Sequence, residues 1–328
     1  MVARWTPALK LEVASVDITD KVSLNALSFV YNDYEEDDAD SISFTLFNTS
    51  AFAVPCRGDA VAAWIGWKET GLRFLGCFIV DEISVKLAGG GTPASMSVTA
   101  KSADFSKGAG KIKRSRQWEN VSLSCIAAKI AAEEGCASKT VGVSLVYQSV
   151  AQSNESNLHL LRRLCHEAGL RFSVKDRTFV IAAPEADLRG TATLMATEVS
   201  SGSFTFADRG RYGSVTARWW NAELAREQKV TAGSETPVYT IRKTFQSTEE
   251  ARTAAQNKLT ELQRGRIEGT VTLMGREDLL AGSILTLAGF SPNQINGNYK
   301  ITNCIHNISP STGFMTMLRL ETILKSNK

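Results

Sequence analysis

Residues 152–181 read QSNESNLHLLRRLCHEAGLRFSVKDRTFVI, and two periodicities meet inside that stretch. Leu158, Leu161, Leu164 and Cys165 recur at three- and four-residue spacing, the pattern of a helix that buries one face. Ser153 and Asn154 are capping-type residues ahead of it, and Gly169 can close it, so the spacing predicts a helix from about Asn157 to Ala168. Beyond Gly169 the apolar residues alternate on either side of Lys175-Asp176-Arg177, which reads as a hairpin turn. Upstream, a first helix is expected from about Ser122 to Glu134, with Ser122 as N-cap and Gly135 just past its end; the strand-like VGVSLVY follows. Residues 106–190 therefore read as a small α/β module with two helices.

The segments on either side read as β structure. In LKLEVASVDIT, Leu9, Leu11 and Val13 point one way while Lys10 and Glu12 point the other. Five further alternating runs follow before residue 105, separated by turn signals at Tyr34–Asp40, Pro55–Gly58, Glu69–Gly71 and Ala88–Thr92. Short strands at that spacing point to a sandwich or barrel. Residues 191–328 return to strands with one helix between them. Ser247 and Glu250 form a capping box, Ala251, Ala254, Ala255, Lys258, Leu259 and Leu262 make an inward stripe, and Gly265 ends it. The expected organisation is three segments, 1–105, 106–190 and 191–328, in a mainly β chain with an α+β insert.

With 43% hydrophobic and 22% charged residues the composition is that of an ordinary globular protein. The net charge of +3 is unevenly distributed. Residues 1–105 hold 8 Lys/Arg against 14 Asp/Glu, residues 106–190 hold 13 against 8, and residues 191–328 hold 16 against 12. Such a split suits docking between charged surfaces; a nucleic-acid binder concentrates its basic excess. The N-terminus MVARWTPALKLEVAS has no secretion-signal pattern, and no run approaches the roughly 20 apolar residues of a membrane span, so assembly in a cytosol is expected. Cys56, Cys77, Cys125, Cys136, Cys165 and Cys304 form no CxxC pair and read as small, buried, reduced side chains.

Motifs that would carry catalysis fail on their own chemistry. His159 and His166 are seven residues apart on the expected helix, where helical zinc ligands usually stand four apart, and no HExxH is present. No GxSxG elbow appears. SKGAGKIK lacks a phosphate loop's first glycine, because Phe105 stands five residues before Gly110, and Ile112 occupies the magnesium-binding hydroxyl position. Gly89-Gly90-Gly91 reads as a hairpin turn. Glu155 and Glu167 flank the second helix, Glu155 as a helix-terminus charge. The acidic run Glu35, Glu36, Asp37, Asp38 and Asp40 reads as a solvated loop. No catalytic, cofactor-binding or metal-binding set is expected. The run Lys111-Ile112-Lys113-Arg114-Ser115-Arg116, ending in Trp118, admits three readings: a basic loop docking on an acidic partner through Lys113, Arg114, Arg116 and Trp118, a charged linker, or a nucleic-acid contact.

At these residues the chain resembles the late control gene D family of contractile-tailed phages. The basic stretch Lys111–Trp118, the helix Ser122–Gly135, and Gln152, Glu155, Ser156, Leu158, Leu161, Arg163 and Leu164 follow that family's pattern, with Asn157 where Asp is usual and Cys165 where Ala is usual. Gly297, Tyr299 and His306 fit its closing strands. The resemblance implies a baseplate hub, similar to the hub part of VgrG-type spike proteins of type VI secretion. Two tube-like β-barrel domains would bracket the α/β module, and the chain would trimerise into a pseudo-six-fold ring joining the hexameric tail tube, or its initiator protein, to a trimeric spike. Other baseplate proteins would be neighbours, in a phage or tailocin particle assembled in the host cytoplasm. On that reading His306 packs within its strand, with Tyr299 nearby in the chain, and no enzymatic activity is required. The alternative is a tail-associated peptidoglycan hydrolase.

Overall fold

Alternating side chains become paired strands throughout. The computed structural model describes residues 5–19, 27–36, 39–47, 54–89, 91, 93–102, 112–183, 190–206, 212–221, 224–263 and 267–323. Residues 105–111, Asp37, Asp38, Gly90 and Gly265, all singled out above, lie outside them. The first segment forms β1 (Pro7–Val13), β2 (Val16–Asp17), β3 (Leu27–Tyr34), β4 (Ser41–Phe47), β5 (Ala60–Trp67), β6 (Gly71–Lys86) and β7 (Ser95–Lys101). In β4, Ile42, Phe44 and Leu46 are buried while Ser41, Ser43 and Thr45 face outward, as a sheet with one covered face requires.

The module contains β8 (Lys113–Ser122), α1 (Leu123–Glu133), β9 (Ala137–Val141), β10 (Val146–Ser156), α2 (Asn157–Ala168), β11 (Arg171–Lys175) and β12 (Thr178–Ala182). Ser122 caps α1 as expected, its hydroxyl accepting from the Cys125 N–H. The cap of α2 is Ser156, which accepts from the His159 N–H, in place of Ser153 and Asn154. Those two stay in β10, because capping needs an oxygen immediately before the first turn. Asp176 and Arg177 make the β11–β12 turn with φ of 43° and 55°. The apolar faces of α1 and α2 share one core with Trp118, Phe172, Phe179 and Ile181.

The third segment continues with β13 (Thr191–Met195), β14 (Val199–Phe206), β15 (Ser214–Asn221), β16 (Arg226–Gly233), β17 (Val238–Phe245), α3 (Thr248–Gln263), β18 (Ile267–Met274), β19 (Ile284–Ala288), β20 (Gly297–Ser309) and β21 (Gly313–Thr322). The Ser247 hydroxyl accepts from the Glu250 N–H at the start of α3. Ala251, Ala254, Ala255 and Leu259 are buried against β15–β17, giving that small sheet a core of its own. Lys258 instead lays its ammonium over the Tyr239 ring, 5.6 Å from the centroid.

The first and last segments merge into one 13-stranded sheet with the order β14-β18-β21-β20-β3-β4-β7-β6-β5-β1-β2, and β13 and β19 attached beside β20. β20 is the join. One edge pairs with β21; along the other, β19 pairs with Gly297–Lys300 and β3 takes over at Asn303–Ile308. The register with β21 shifts between Ile301 and Asn303, the kind of bulge that bends a strand from one core to the next. Two apolar cores result. One gathers Leu11, Phe29, Ile42, Phe78 and Val98 with Ile308 and Phe314. The other gathers Leu194, Val271, Leu285, Tyr299, Ile301 and Leu318. The fold is thus mainly β, two barrel-like halves sharing β20 and β21, with an α/β insert. Trp67 Nε1 donates to the Gly275 carbonyl at 3.1 Å and Arg73 to the Glu277 carbonyl at 2.9 Å, tying the first half to the second.

Candidate functional site: the basic strand and a buried charged junction

From Lys113 onward the basic run lies in the strand β8, which corrects its readings as a loop or a linker. It pairs antiparallel with β10 from Ser122↔Val146 to Lys113↔Ser156. Lys113 is exposed, Arg114 and Arg116 are half-buried, and Trp118 is buried in the module core. The Arg116 guanidinium lies over the Trp118 ring, 4.4 Å from its centroid. Its Nε donates to Gln152 Oε1 at 2.7 Å, its Nη1 to Glu133 Oε1 at 2.7 Å, and its Nη2 to Asn157 Oδ1 at 2.9 Å. That hydrogen bond from Arg116 holds the Glu133 carboxyl below its usual range.

Gln152 and Asn157, both buried, complete a polar cluster between the end of α1 and the start of α2. Asn157 Oδ1 accepts from Arg116 and from Gln152, while Nδ2 donates to Glu133 at 3.1 Å and Glu134 at 2.7 Å. An Asp at 157 would set three carboxylates together, so the amide accounts for Asn at this position. Glu155 and Glu167 are turned to Arg163, at 2.6 Å and 3.6 Å, as structural partners.

At Glu35 and Asp40 the acidic run departs from its expected solvation. Glu35 and Asp40 are buried, and with Asp33 they clamp the module to the sheet. The Lys175 ammonium, at the end of β11, meets Asp33 Oδ1 at 2.5 Å, the Tyr34 carbonyl at 2.6 Å, and Asp40 Oδ1. Asp33 also accepts from the Ala281 N–H at 2.9 Å. Glu35 lies between Arg171, whose Nε is 2.9 Å from Oε1, and Lys300 of β20, 2.8 Å from Oε2. The Arg171 contact is an ion pair whose angle falls outside hydrogen-bond geometry. Burial, reinforced by Asp33, raises the Asp40 pKa to about 7 against the pull of Lys175; burial also raises Glu35. The Ser102 hydroxyl donates to the Val174 carbonyl, and the Cys77 N–H to Asp176, closing the same seam.

His306 packs inside its strand, as expected. Its Nδ1 is 2.9 Å from the Thr316 hydroxyl, its Nε2 is 3.4 Å from Cys304 Sγ, and the ring stacks on Tyr31. Burial lowers its pKa to about 4. His159 and His166 are exposed and face Glu155 and Glu261. Cys165 and Cys304 are buried, Cys77 and Cys136 partly so; Cys56 and Cys125 are exposed, which corrects the reading of all six as buried.

Residues 75–312, running from β6 through the module to the β20–β21 turn, match the model of the phage tail baseplate hub (GPD) family. The chain belongs to that family. A probable baseplate hub protein of Escherichia phage 186 is 27% identical over 366 aligned positions, covering 96% of this chain and 92% of the relative. In fold, the chain is similar to a tail protein from Neisseria meningitidis MC58, with TM-score 0.73 at 13% identity over 97% of each chain. It is also similar to the E. coli c3393 protein, described as a type VI secretion component resembling the T4 tail proteins gp27 and gp5. There the TM-score is 0.57 at 12% identity, over 98% of this chain and 77% of the other. At those identities the likeness is one of fold. The family match includes the basic strand, the Gln152–Asn157 cluster and both basic residues of β11.

Proposed function

We propose that this baseplate hub protein works as a non-enzymatic adapter in the phage or tailocin particle. It trimerises into a pseudo-six-fold ring that meets the hexameric tail tube on one side and a three-fold spike on the other. The observation that carries this reading is the sharing of β20 and β21 by two barrel-like halves of one chain. Three copies then supply six such halves, and a closed ring reconciles three-fold with six-fold symmetry. A continuous sheet passes tension between the halves through backbone hydrogen bonds. In this reading residues 1–105 and 191–328 build the halves and 106–190 stands as a separate module. Exposed Lys113 and half-buried Arg114, at the start of β8, dock a neighbouring subunit or baseplate protein, while Arg116 and Trp118 hold the strand in place.

The test is the mass of the purified protein in solution, alone and with its spike protein. A trimer, or a three-to-three complex with the spike, is expected. A monomer that ignores the spike overturns the reading, and cell-wall hydrolysis by the same preparation would replace it with the hydrolase.

A further inference from the structure

The face of the β16-β15-β17 sheet turned away from α3 has a charge arrangement that folding does not explain. Val215, Ala217 and Trp219 of β15 point toward α3, so Thr216, Arg218 and Trp220 alternate onto the opposite face. The register places Arg218 directly opposite Lys229, and Trp220 opposite Glu227. Like charges directly opposite on neighbouring strands destabilise a sheet. On the other side of β15 the register with β17 shifts between Thr216 and Arg218, and exposed Arg242 stands in that irregularity. Cations on three adjacent strands thus border one surface. Among the described residues its counter-charge is Glu227, 3.9 Å from Arg218 and engaged by the Thr244 hydroxyl at 2.9 Å. Trp220, at the end of this surface, is 50% exposed.

We propose that this face is a docking surface for an acidic partner protein, with Arg218, Lys229 and Arg242 meeting its carboxylates and Trp220 seated in an apolar recess. The inference does not depend on the trimer. An anionic partner relieves the Arg218–Lys229 repulsion, and Arg and Trp are both enriched among interface hot spots. The chemistry favours protein over nucleic acid. Glu227 lies within the cationic surface and repels a dense phosphate row, whereas spaced carboxylates can avoid it.

The test uses the full chain with two probes at low salt, a 20-residue Glu/Leu peptide and a 20-nucleotide oligo-dT strand. The peptide is expected to bind and to shift tryptophan emission, with Trp220→Phe removing that shift. The double variant Lys229→Glu/Arg242→Glu should weaken peptide binding at least tenfold with an undiminished urea midpoint, and added salt should weaken the parent in the same direction. Peptide binding that is absent, indifferent to the charge reversals, or weaker than binding of the oligonucleotide overturns the proposal.

Discussion

Lys175 meets Asp33 at 2.5 Å across 142 positions of sequence, and by this contact a side chain of the α/β module neutralises a carboxylate of the sheet. The same ammonium serves Asp40, so one cation faces two buried acids. Removing it strands both. Lys175→Met should cost about 3–5 kcal/mol, the range for breaking a buried ion pair from one side. Lys175→Met/Asp40→Asn should recover part of that loss. Urea unfolding of both variants checks this, and equal midpoints would show that Asp40 is not the group left uncompensated.

Asp40 and His306 should pull the pH dependence of stability in opposite directions. Asp40 has a folded pKa of about 7 against an ordinary 3.8, so folding takes up a proton. Its contribution is present below the unfolded value and is lost as pH rises toward 7. His306 has a folded pKa of about 4 against 6.5, so its contribution is present above 6.5 and is lost as pH falls toward 4. The parent should therefore vary little between about pH 4.5 and about pH 6.5 on their account. Asp40→Asn should gain stability with rising pH and His306→Gln should lose it. Slopes of one sign in both variants would contradict the assignment.

Arg116 is a positioning residue of the module. Arg116→Ala should cost about 2–3 kcal/mol, the scale of a charge-assisted hydrogen bond with its buried partners left open. Arg116→Lys should not restore it, because a single ammonium cannot span Gln152, Glu133 and Asn157 together. Lys113→Ala, on an exposed side chain, should stay within about 0.5 kcal/mol of the parent. The proposed docking contact predicts that Lys113→Glu weakens complex formation with the spike or a baseplate partner while leaving the unfolding midpoint in place.

Gly169 closes α2 and admits α3. Its φ is +65°, and a Cβ there would stand 2.5 Å from the Asn257 side chain. Gly169→Ala should cost about 1–2 kcal/mol from the left-handed backbone, with the Asn257 collision adding to it. Adding Asn257→Ala should return only the collision's share. Thermal melts of the single and double variants separate the two.

Much of this was legible one residue at a time. The helix spans, the Ser122 and Ser247 caps and the β11–β12 turn follow from interactions within a few positions of the chain. In sequence β8 looks like a loop because a charged run does not show its strand partners; Arg116 becomes structural only when β10 delivers Gln152 and α1 delivers Glu133. The acidic run looks solvated in sequence for the same reason. Its cations, Arg171, Lys175 and Lys300, arrive from more than a hundred positions away.

By itself the sequence settled the mainly β class, the α/β insert and the family pattern, since periodicity, caps and motif spacing are local properties of the chain. Tertiary structure alone decided that the first and last segments share β20, that acids near residue 35 are buried counter-ions, and that Arg218 and Lys229 stand side by side. Each of these depends on strand register and burial. Pairing distant segments sets which charges meet, and removal from water sets how strongly they act.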